Sequence, residues 1–379
     1  MDIILIIGLY PFLYLCDSKK SGKMSDYIKG RGAQKQIHNK FYELKNIPDT
    51  DYLNYCAQEE DEFAIDPKTH FKAIFPKMIV NKVHSPDLRF KYSINPYQGC
   101  EHGCVYCYAR NSHQYWGYGP GLDFEKQILI KRDAPKLLEK TLQKKSWKVG
   151  TIVFSGNTDC YQPIEKKEKV TRDCLKIMLK YKHPTGIITK NALLTRDLDI
   201  LKDLARDNLI KVNISITTLS EETRRLLEPR TSTIKKRFQA VEALAKNDIP
   251  VAVMMAPIIP GINSHEIFPL LKRASEAGAW SAHYSLVHLN GAVGEIFADW
   301  IEKAMPQRAA KVLNLIKSCH GGKLNESQFG KRFRGDGKIA EQIAQEFKIA
   351  RSKFFPNRHW PQLNYNLYQK AKNPQYSLF

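Results

Sequence analysis

The sequence contains no apolar run long enough to cross a bilayer comfortably. Its longest such run, Ile3 to Cys16, falls short of the roughly 20 residues that a membrane-spanning helix needs. No internal repeat and no low-complexity segment is visible. Five of the eight cysteines are scattered along the chain, so the sequence does not predict a disulfide framework. Free thiols suit a reducing compartment, and we expect the protein to be cytoplasmic.

The first 23 residues differ in composition from the rest of the chain. Asp2 is the only charge before the apolar run, whereas a signal peptide begins with basic residues. Leu15, directly before Cys16, is larger than the residue expected before a lipoprotein cysteine. We therefore interpret residues 1–23 as the product of a misassigned start codon, with Met24 as the true start. A membrane anchor is the alternative, although no stable membrane association is expected.

Positive charge dominates the sequence. With 59 Lys and Arg against 39 Asp and Glu, the net charge is +20, which favours a polyanionic partner such as nucleic acid. Residues 311–379 alone hold 13 Lys and Arg against four Asp and Glu. The interleaved aromatic residues of this segment are Phe354, Phe355, Trp360, Tyr365 and Tyr368. Such a segment can bind phosphates and stack on bases, or its aromatic side chains can pack beneath the main domain as a cap.

A repeating pattern of strands and helices begins near residue 88. Apolar, β-rich runs occur at 90–94, 150–154, 186–189, 210–216, 250–256 and 283–289. Helical patterns lie between them, at 134–143, 167–180, 197–207, 234–245 and 267–277. This alternation predicts parallel strands with helices outside. Six such units predict an α/β fold, a partial (β/α)6 TIM-type barrel, in which chemistry takes place at the C-terminal ends of the strands.

The pattern divides the chain into four parts. Residues 1–23 are the leader, and the polar residues 24–87 form an N-terminal extension that wraps the main domain. Residues 88–290 form the barrel. Residues 291–379 form a basic, mostly helical C-terminal extension. The predicted helices of this extension are 296–304, 309–319 and 339–348.

Three closely spaced cysteines form the most informative motif. Cys100, Cys104 and Cys107 have the spacing C-x3-C-x2-C, directly after the first predicted strand. Three thiolates on one short loop can hold three irons of a [4Fe–4S] cluster and leave the fourth iron open to a ligand. A structural zinc site usually takes four protein ligands in two pairs, and no second close pair is present. Zinc with His102 as a fourth ligand, and a disulfide, remain as alternatives.

This spacing, with an aromatic residue before the last cysteine, resembles the radical S-adenosylmethionine (SAM) superfamily. Further segments resemble the subgroup related to spore photoproduct lyase, a DNA-repair radical enzyme, and a poorly characterised family within it. These segments are 30–33, 93–97, 108–110, 155–159, 228–230 and 256–261. The resemblance covers about residues 24–350.

The resemblance implies both cofactors and chemistry. In the superfamily the open iron binds the amino and carboxylate groups of SAM, and one electron then cleaves SAM to methionine and a 5′-deoxyadenosyl radical. It therefore implies a [4Fe–4S] cluster on Cys100, Cys104 and Cys107, with SAM bound to it. It also implies an electron donor such as flavodoxin or ferredoxin.

The resemblance further implies SAM contacts near the cluster. Tyr106 takes the aromatic position near the adenine, although it can also pack the cysteine loop. Ser155, Gly156 and Asn157 end the second strand, where the family has a glycine-rich segment that meets the SAM amino group. The acidic residue usual in that segment is missing unless Asp159 substitutes for it.

The later strands supply the remaining implied contacts. Lys190, after the third strand, is placed to meet the SAM carboxylate or to be solvated. Ser215 and Thr217 on the fourth strand resemble ribose- or methionine-contacting positions. Pro257 belongs to the fifth-strand segment that supports adenine. Arg230 is placed either to bind a carboxylate or phosphate, or to form a structural ion pair.

One departure concerns the cysteine that spore photoproduct lyase uses as a hydrogen-atom donor. An ungapped match puts Gly156 at that position, and Cys160 lies four residues further on. Because this cysteine is absent from the matching position, the resemblance supports the lyase reaction itself less strongly than it supports the superfamily. Cys160, Cys174 and Cys319 lack cluster-like spacing, so a second cluster is not expected.

These features predict a radical SAM enzyme that abstracts hydrogen, with nucleic acid as the leading substrate class. The alternatives are radical modification of a protein or small metabolite, and a non-catalytic iron–sulfur module that binds nucleic acid. SAM cleavage stimulated by peptides or metabolites, but not by DNA or RNA, would favour the first alternative. Nucleic-acid binding without SAM cleavage would favour the second.

A chain that begins at Met24 is expected to fold and to hold as much iron as the full chain, because residues 1–23 lie outside the predicted barrel. Iron and protein content after anaerobic reconstitution measure this. Loss of folding or of iron on truncation would show that the leader is structural.

Overall fold

The computed structural model describes residues 27–42, 68–88, 90–356 and 360–368. The predicted leader, 1–23, lies outside these ranges. Within them, no helix combines the length and the apolar character that a bilayer crossing requires.

Ten strands and eleven α-helices make up the described part of the chain. The strands are β1 (His70–Ala73), β2 (Val80–Lys82), β3 (Tyr92–Ile94), β4 (Tyr97–Gln98), β5 (Gln127–Ile130), β6 (Ile152–Phe154), β7 (Thr185–Thr189), β8 (Ile210–Ser215), β9 (Val251–Ile258) and β10 (Ser281–Leu286). The helices are α1 (Asp123–Lys126), α2 (Ala134–Gln143), α3 (Glu165–Glu168), α4 (Val170–Lys180), α5 (Leu198–Arg206), α6 (Glu221–Leu227), α7 (Ile234–Ala245), α8 (Ile267–Glu276), α9 (Ala292–Ala304), α10 (Pro306–Ser318) and α11 (Lys338–Phe354). Three 3-10 helices cover Tyr108–Trp116, Ala192–Asp197 and Ser264–Glu266.

The main sheet confirms the predicted partial barrel. Strands β3, β6, β7, β8, β9 and β10 are neighbours in chain order, and each pairs parallel to the next. Between successive strands lie helices α2, α4, α5, α7 and α8, which bury one apolar face each. On β8, Val212 and Ile214 are fully buried in this core. The sixfold repeat of strand and helix therefore builds the (β/α)6 architecture.

A second, three-stranded sheet flanks the cysteine loop and was not predicted. In it β5 pairs parallel with β1 and antiparallel with β4. Strand β4 ends two residues before Cys100, and β5 begins shortly after α1. This small sheet therefore anchors the chain on both sides of the loop. Its strands escaped prediction because β4 has only two residues and β1 is largely exposed.

The C-terminal extension packs onto the barrel. Helix α9 shares a hydrophobic cluster with the cysteine loop, in which Phe297 and Trp300 pack with Val105 and Tyr106. Helix α11 lies against α8 and β10 and extends the outer layer beyond the last strand. The predicted helices of the extension are present, and α11 is longer than expected.

The main sheet is not closed, because β2 and β10 are its two edges. The loop at residues 328–335 crosses the gap between them. Its Phe333 carbonyl accepts a hydrogen bond from the Leu286 amide at 2.8 Å. Its Arg332 Nε lies 2.7 Å from Asp87 Oδ2, in the chain just after β2. Between the two edge strands, the loop therefore takes the place of strand pairing, through the Leu286–Phe333 backbone bond and the Arg332–Asp87 ion pair.

The aromatic tail packs beneath the barrel. The Tyr365 hydroxyl lies 2.8 Å from Thr151 Oγ1, just before β6 begins. The Lys211 ammonium lies 5.5 Å from the Trp360 ring centroid, near the start of β8. Of the two interpretations given above, these contacts favour the cap for Trp360 and Tyr365, at the opposite end of the barrel from the cysteines.

Candidate active site

A large cavity of about 1680 Å³ lies at the C-terminal ends of the strands. All three motif cysteines line it, and so do seven of the eight predicted SAM-contacting residues. These seven are Tyr106, Ser155, Gly156, Asn157, Lys190, Ser215 and Pro257. The fold thus brings together residues that are up to 157 positions apart in the sequence, from Cys100 to Pro257.

The three cysteines lie on a tight loop between β4 and the 3-10 helix. Cys100 and Cys104 are buried, Cys107 is half-buried, and all three thiols are free. Gly103 adopts a φ of +68°, which a side chain disfavours. A Cβ atom there would also lie 2.7 Å from Glu125 Oε2. The loop shape therefore depends on glycine at this position.

The donor set fits an iron–sulfur cluster. Three thiols and no carboxylate face the cavity from this loop, and thiolates are the ligands that such clusters take. No group of three or more His, Cys, Asp or Glu among the described residues is arranged to hold one metal ion. The three cysteines of a cluster bind different irons, so they do not have to converge on one ion.

His102 is not placed as a fourth metal ligand. Its Nδ1 lies 3.4 Å from Asp159 Oδ2, and its Nε2 lies 3.4 Å from Asn191 Nδ2. Both ring nitrogens therefore already have partners. Burial raises the pKa of the Cys104 and Cys107 thiols, while Lys190 acts in the opposite direction on both. Metal binding at this loop must consequently release protons.

Lys190 places a cation beside the cysteine loop. It follows β7 directly, and its ammonium lies 5.8 Å from the Tyr106 ring centroid. The ammonium forms no ion pair within the part of the chain that the structure describes. A cation without a carboxylate partner in a cavity suits an anionic group of a ligand.

Asp159 fastens the ends of two strands to each other. Its carboxylate accepts hydrogen bonds from Thr189 Oγ1 at 2.7 Å and from the amides of Lys190 and Tyr161, both at 2.8 Å. Burial raises the pKa of Asp159, but His102 and these hydrogen bonds outweigh it and lower the pKa to about 2. The carboxylate is thus ionised and already satisfied, which gives Asp159 a structural role.

The segment after β6 is held by two residues whose roles were not predicted. Asn95 Oδ1 accepts the amides of Gly156 and Asn157, each at 2.8 Å. The Tyr108 hydroxyl donates to the Gly156 carbonyl at 2.6 Å. Both residues lie in segments that carried the family resemblance, which was the available signal. Ser155 takes a φ of +79° at the start of this turn.

Thr217 departs from its predicted role. Its hydroxyl donates to Glu228 Oε1 at 2.8 Å, and Thr217 is not among the residues that line the cavity. The Tyr106 hydroxyl donates to the same carboxylate oxygen. Strand β8 ends at Ser215, so Thr217 lies beyond it and turns toward the buried carboxylate. Ser215 remains at the cavity.

Glu228 and Arg237 form a buried ion pair behind the part of the cavity lining that Tyr106 and Ser215 contribute. Arg237 NH2 lies 2.6 Å from Glu228 Oε2, and its NH1 donates to the Ser215 carbonyl at 2.9 Å. Burial raises the pKa of Glu228, but Arg237, Lys190 and the Tyr106 hydrogen bond outweigh it and lower the pKa to about 2. This pair links Tyr106 to the end of β8.

Two further predicted positions have structural contacts. The Pro257 carbonyl accepts from Asn263 Nδ2 at 3.1 Å, which fixes the cavity wall after β9. Arg230 NH2 lies 3.7 Å from Glu125 Oε2 and donates to the Glu125 carbonyl at 3.3 Å, in agreement with the alternative of a structural ion pair for Arg230. Cys160 is fully buried and does not line the cavity.

The C-terminal extension forms the far wall of the cavity. This wall carries four cations, Arg332, Arg334, Lys348 and Arg351, among aromatic side chains. The His288 ring lies between Tyr108 and Phe333, at centroid distances of 6.1 and 5.3 Å. The sequence indicates cations in this region, but no sequence pattern shows that they line the same cavity as the cysteines.

Replacing Arg237 with Gln is expected to lower the free energy of unfolding by about 3–5 kcal/mol, because it leaves the buried Glu228 carboxylate unpaired. Denaturant unfolding of the two proteins measures the difference. Arg206→Gln, at an exposed helical pair with Asp203, is the control and should change stability little. Equal effects of the two substitutions would contradict a stabilising role for the buried pair.

The chain is similar to known proteins over the part that contains the cysteine loop. The sequence profile described as "Radical SAM superfamily" matches residues 94–274, which include the cysteine loop and the strands through β9. An uncharacterized protein of Mycobacterium tuberculosis is 30% identical over 250 residues, covering 65% of this chain and 74% of that protein. An uncharacterized protein of Methanocaldococcus jannaschii is 30% identical over 217 residues, covering 57% and 77%.

Solved structures of spore photoproduct lyase share the fold. A variant of that enzyme matches with a TM-score of 0.55 and 16% identity, covering 83% of this chain and 85% of the other. The complex with a dinucleoside spore photoproduct gives a TM-score of 0.54 at 16% identity, covering 76% and 80%. Because the sequence identity is only 16%, these matches show a shared fold alone. The chain therefore belongs to the radical SAM superfamily: it is a radical SAM enzyme whose cofactors are a [4Fe–4S] cluster and SAM.

Proposed function

We propose that this radical SAM enzyme acts on a nucleic acid, held in the cavity between the cysteine loop and the C-terminal extension. The observation that carries the proposal is the cationic far wall. Arg334, Lys348 and Arg351 line the cavity, and none has a carboxylate partner among the described residues. Cations left unpaired beside a cavity favour a substrate that brings several negative charges.

Flat side chains beside these cations support bases as the other part of the substrate. His288 lies between two aromatic rings, and the Tyr284 and Phe347 rings lie 4.5 Å apart. Stacking on aromatic rings together with phosphate contacts is the usual way to hold single-stranded nucleic acid. One structural neighbour is complexed with a dinucleoside, which supports the same substrate class for this chain.

The cysteine side of the cavity is the proposed SAM subsite. Lys190 would meet the SAM carboxylate, and Ser215 would contact its ribose or methionine part. Tyr106 and Pro257 would flank the adenine, and the backbone of the turn at Gly156 would approach the amino group. When bound, the cluster and SAM supply a 5′-deoxyadenosyl radical, which abstracts a hydrogen atom from the substrate. The far wall holds that substrate across the cavity from the cluster.

Hydrogen abstraction from the substrate is the proposed chemistry, and more than one overall reaction can begin with that step. Cys160 lies outside the cavity, and the three thiols that line it belong to the cluster motif. Among the described residues, no thiol outside the cluster motif therefore lines the cavity, where it could donate a hydrogen atom to the substrate. We propose DNA repair of the photoproduct-lyase type as one reaction within this class, in a reducing cytoplasm with a one-electron donor protein.

Cys104→Ala is expected to lose most bound iron and SAM cleavage together, because the cluster loses one of its three thiolates. Iron content, the visible absorption of the cluster and 5′-deoxyadenosine release measure this. Cys174→Ala is the matched control, since Cys174 is equally buried but lies on α4, away from the cavity. Full iron content in Cys104→Ala would refute the assignment.

The variant Arg334→Gln/Lys348→Gln/Arg351→Gln is expected to bind nucleic acid more weakly, with a salt slope smaller by roughly 1 for each phosphate that is no longer neutralised. Lys331 and Arg332 are left in place because they pair with Asp336 and Asp87. Binding of single-stranded DNA and RNA across a range of salt concentrations measures the slope.

The control for this variant neutralises three exposed lysines that do not line the cavity: Lys202 on α5, Lys246 directly after α7, and Lys272 on α8. If both variants change affinity and slope equally, the effect comes from net charge and the far wall is not the binding site. SAM cleavage stimulated by peptides or metabolites, but not by DNA or RNA, would favour a different substrate class.

A further inference from the structure

A buried carboxylate, Glu125, lies behind the cysteine loop and contacts three separate parts of the chain. Its Oε1 accepts from Arg110 NH2 at 2.6 Å and from the Ala33 amide at 2.8 Å. Its Oε2 accepts from the Gly32 amide at 3.2 Å. Its carbonyl accepts from Arg31 NH1 and Arg230 NH2, at 3.1 and 3.3 Å. Neither the cavity nor the proposed substrate uses this residue.

Arg110 carries the effect of Glu125 to the loop backbone. It is fully buried, and it donates to the carbonyls of Gly103 and Cys104 at 3.2 and 3.1 Å. A third bond, at 3.0 Å, goes to the Gly121 carbonyl. One guanidinium thus fixes the backbone at the second cysteine, and Glu125 fixes the guanidinium.

The N-terminal segment adds a steric constraint to the same loop. A Cβ atom on Gly32 would lie 1.7 Å from the Gly103 carbonyl oxygen, so the two backbones are in direct contact. This contact explains why the Gly-Arg-Gly-Ala segment at 30–33 forms part of the site although it lies about 70 residues before the cysteines.

Two arginines share this carboxylate. Arg110 NH2 lies 2.6 Å from Glu125 Oε1, and Arg230 NH2 lies 3.7 Å from Glu125 Oε2. Arg230 Nε is buried without a hydrogen-bond partner among the described residues. Arg110 and Arg230 therefore bring two positive charges against the one negative charge of Glu125.

We propose that Glu125 is a positioning residue of the cluster site: with Arg110 it holds the cysteine loop in its iron-binding shape, and the surrounding arginines favour the reduced cluster. A cluster gains negative charge when it is reduced, so nearby positive charge raises its reduction potential. Preformed ligands also bind metal without the cost of ordering the loop.

The positioning part is tested by Gly32→Ala, which drives a methyl group into the Gly103 carbonyl. Iron bound per folded protein after reconstitution is expected to fall to less than half of the wild-type value. Gly30→Ala is the matched control: it strains a φ of +81° in the same segment but meets nothing within 4 Å. Iron content in Gly32→Ala equal to that in Gly30→Ala overturns this part.

The electrostatic part is tested by redox titration of the cluster without SAM, followed by the paramagnetic signal of its reduced form. Arg230→Gln is expected to shift the potential to more negative values, and Glu125→Gln to less negative values. Arg230→Lys keeps the charge and should restore the wild-type potential. Shifts of opposite sign, with rescue by Lys, would not arise from a purely structural role.

Arg206→Gln makes the same chemical change on the far surface of α5 and should leave the potential unchanged. Equal potentials in Arg230→Gln and Arg206→Gln overturn the electrostatic part. If Glu125→Gln does not fold, the comparison of Arg230→Gln with Arg230→Lys decides.

Discussion

The Arg110–Glu125 ion pair is the interaction on which the cluster site depends. Three thiols must face one cluster, each toward a different iron, from a loop that has no helix or strand of its own, so the loop cannot hold its shape by itself. The pair is fully buried, and its other hydrogen bonds include ones to the loop backbone, to the Gly121 carbonyl and to the N-terminal segment. A buried pair is tolerated only when such additional bonds satisfy it.

The same arrangement recurs around the cavity. Asp159 joins the end of β6 to the end of β7, and Glu228 joins Tyr106 to the end of β8 through Arg237. Asp159 at the cavity edge and the fully buried Glu228 are both ionised, and each is bonded to a neighbouring strand end. The walls of the cavity are therefore connected by polar contacts, whereas the outer helices attach through apolar faces. This division places polar contacts at the strand ends around the cavity and keeps the core apolar.

Sequence pattern predicted the barrel well because alternating apolar runs report directly on buried strands and helices. The cysteine spacing and the family resemblance predicted ten of the residues that line the cavity, all of them on the cysteine loop or near strand ends. The sequence could not predict the hydrogen-bond partners of Asp159, Glu125 or Thr217. A charged or hydroxyl side chain has the same place in a sequence pattern whether it binds a ligand or a buried neighbouring residue. The two-residue strand β4 was likewise too short to leave a pattern.

The cavity is a chamber with a seam along one side, and the seam is the gap between the edge strands β2 and β10. No strand pairing among the described residues crosses the seam, and the contact of Arg332 with Asp87 can separate while every strand keeps its partners. A tunnel closed by continuous sheet would accept a long polymer only by its end. Under the proposed function, a chamber with a side seam would instead receive an internal stretch of such a polymer laterally.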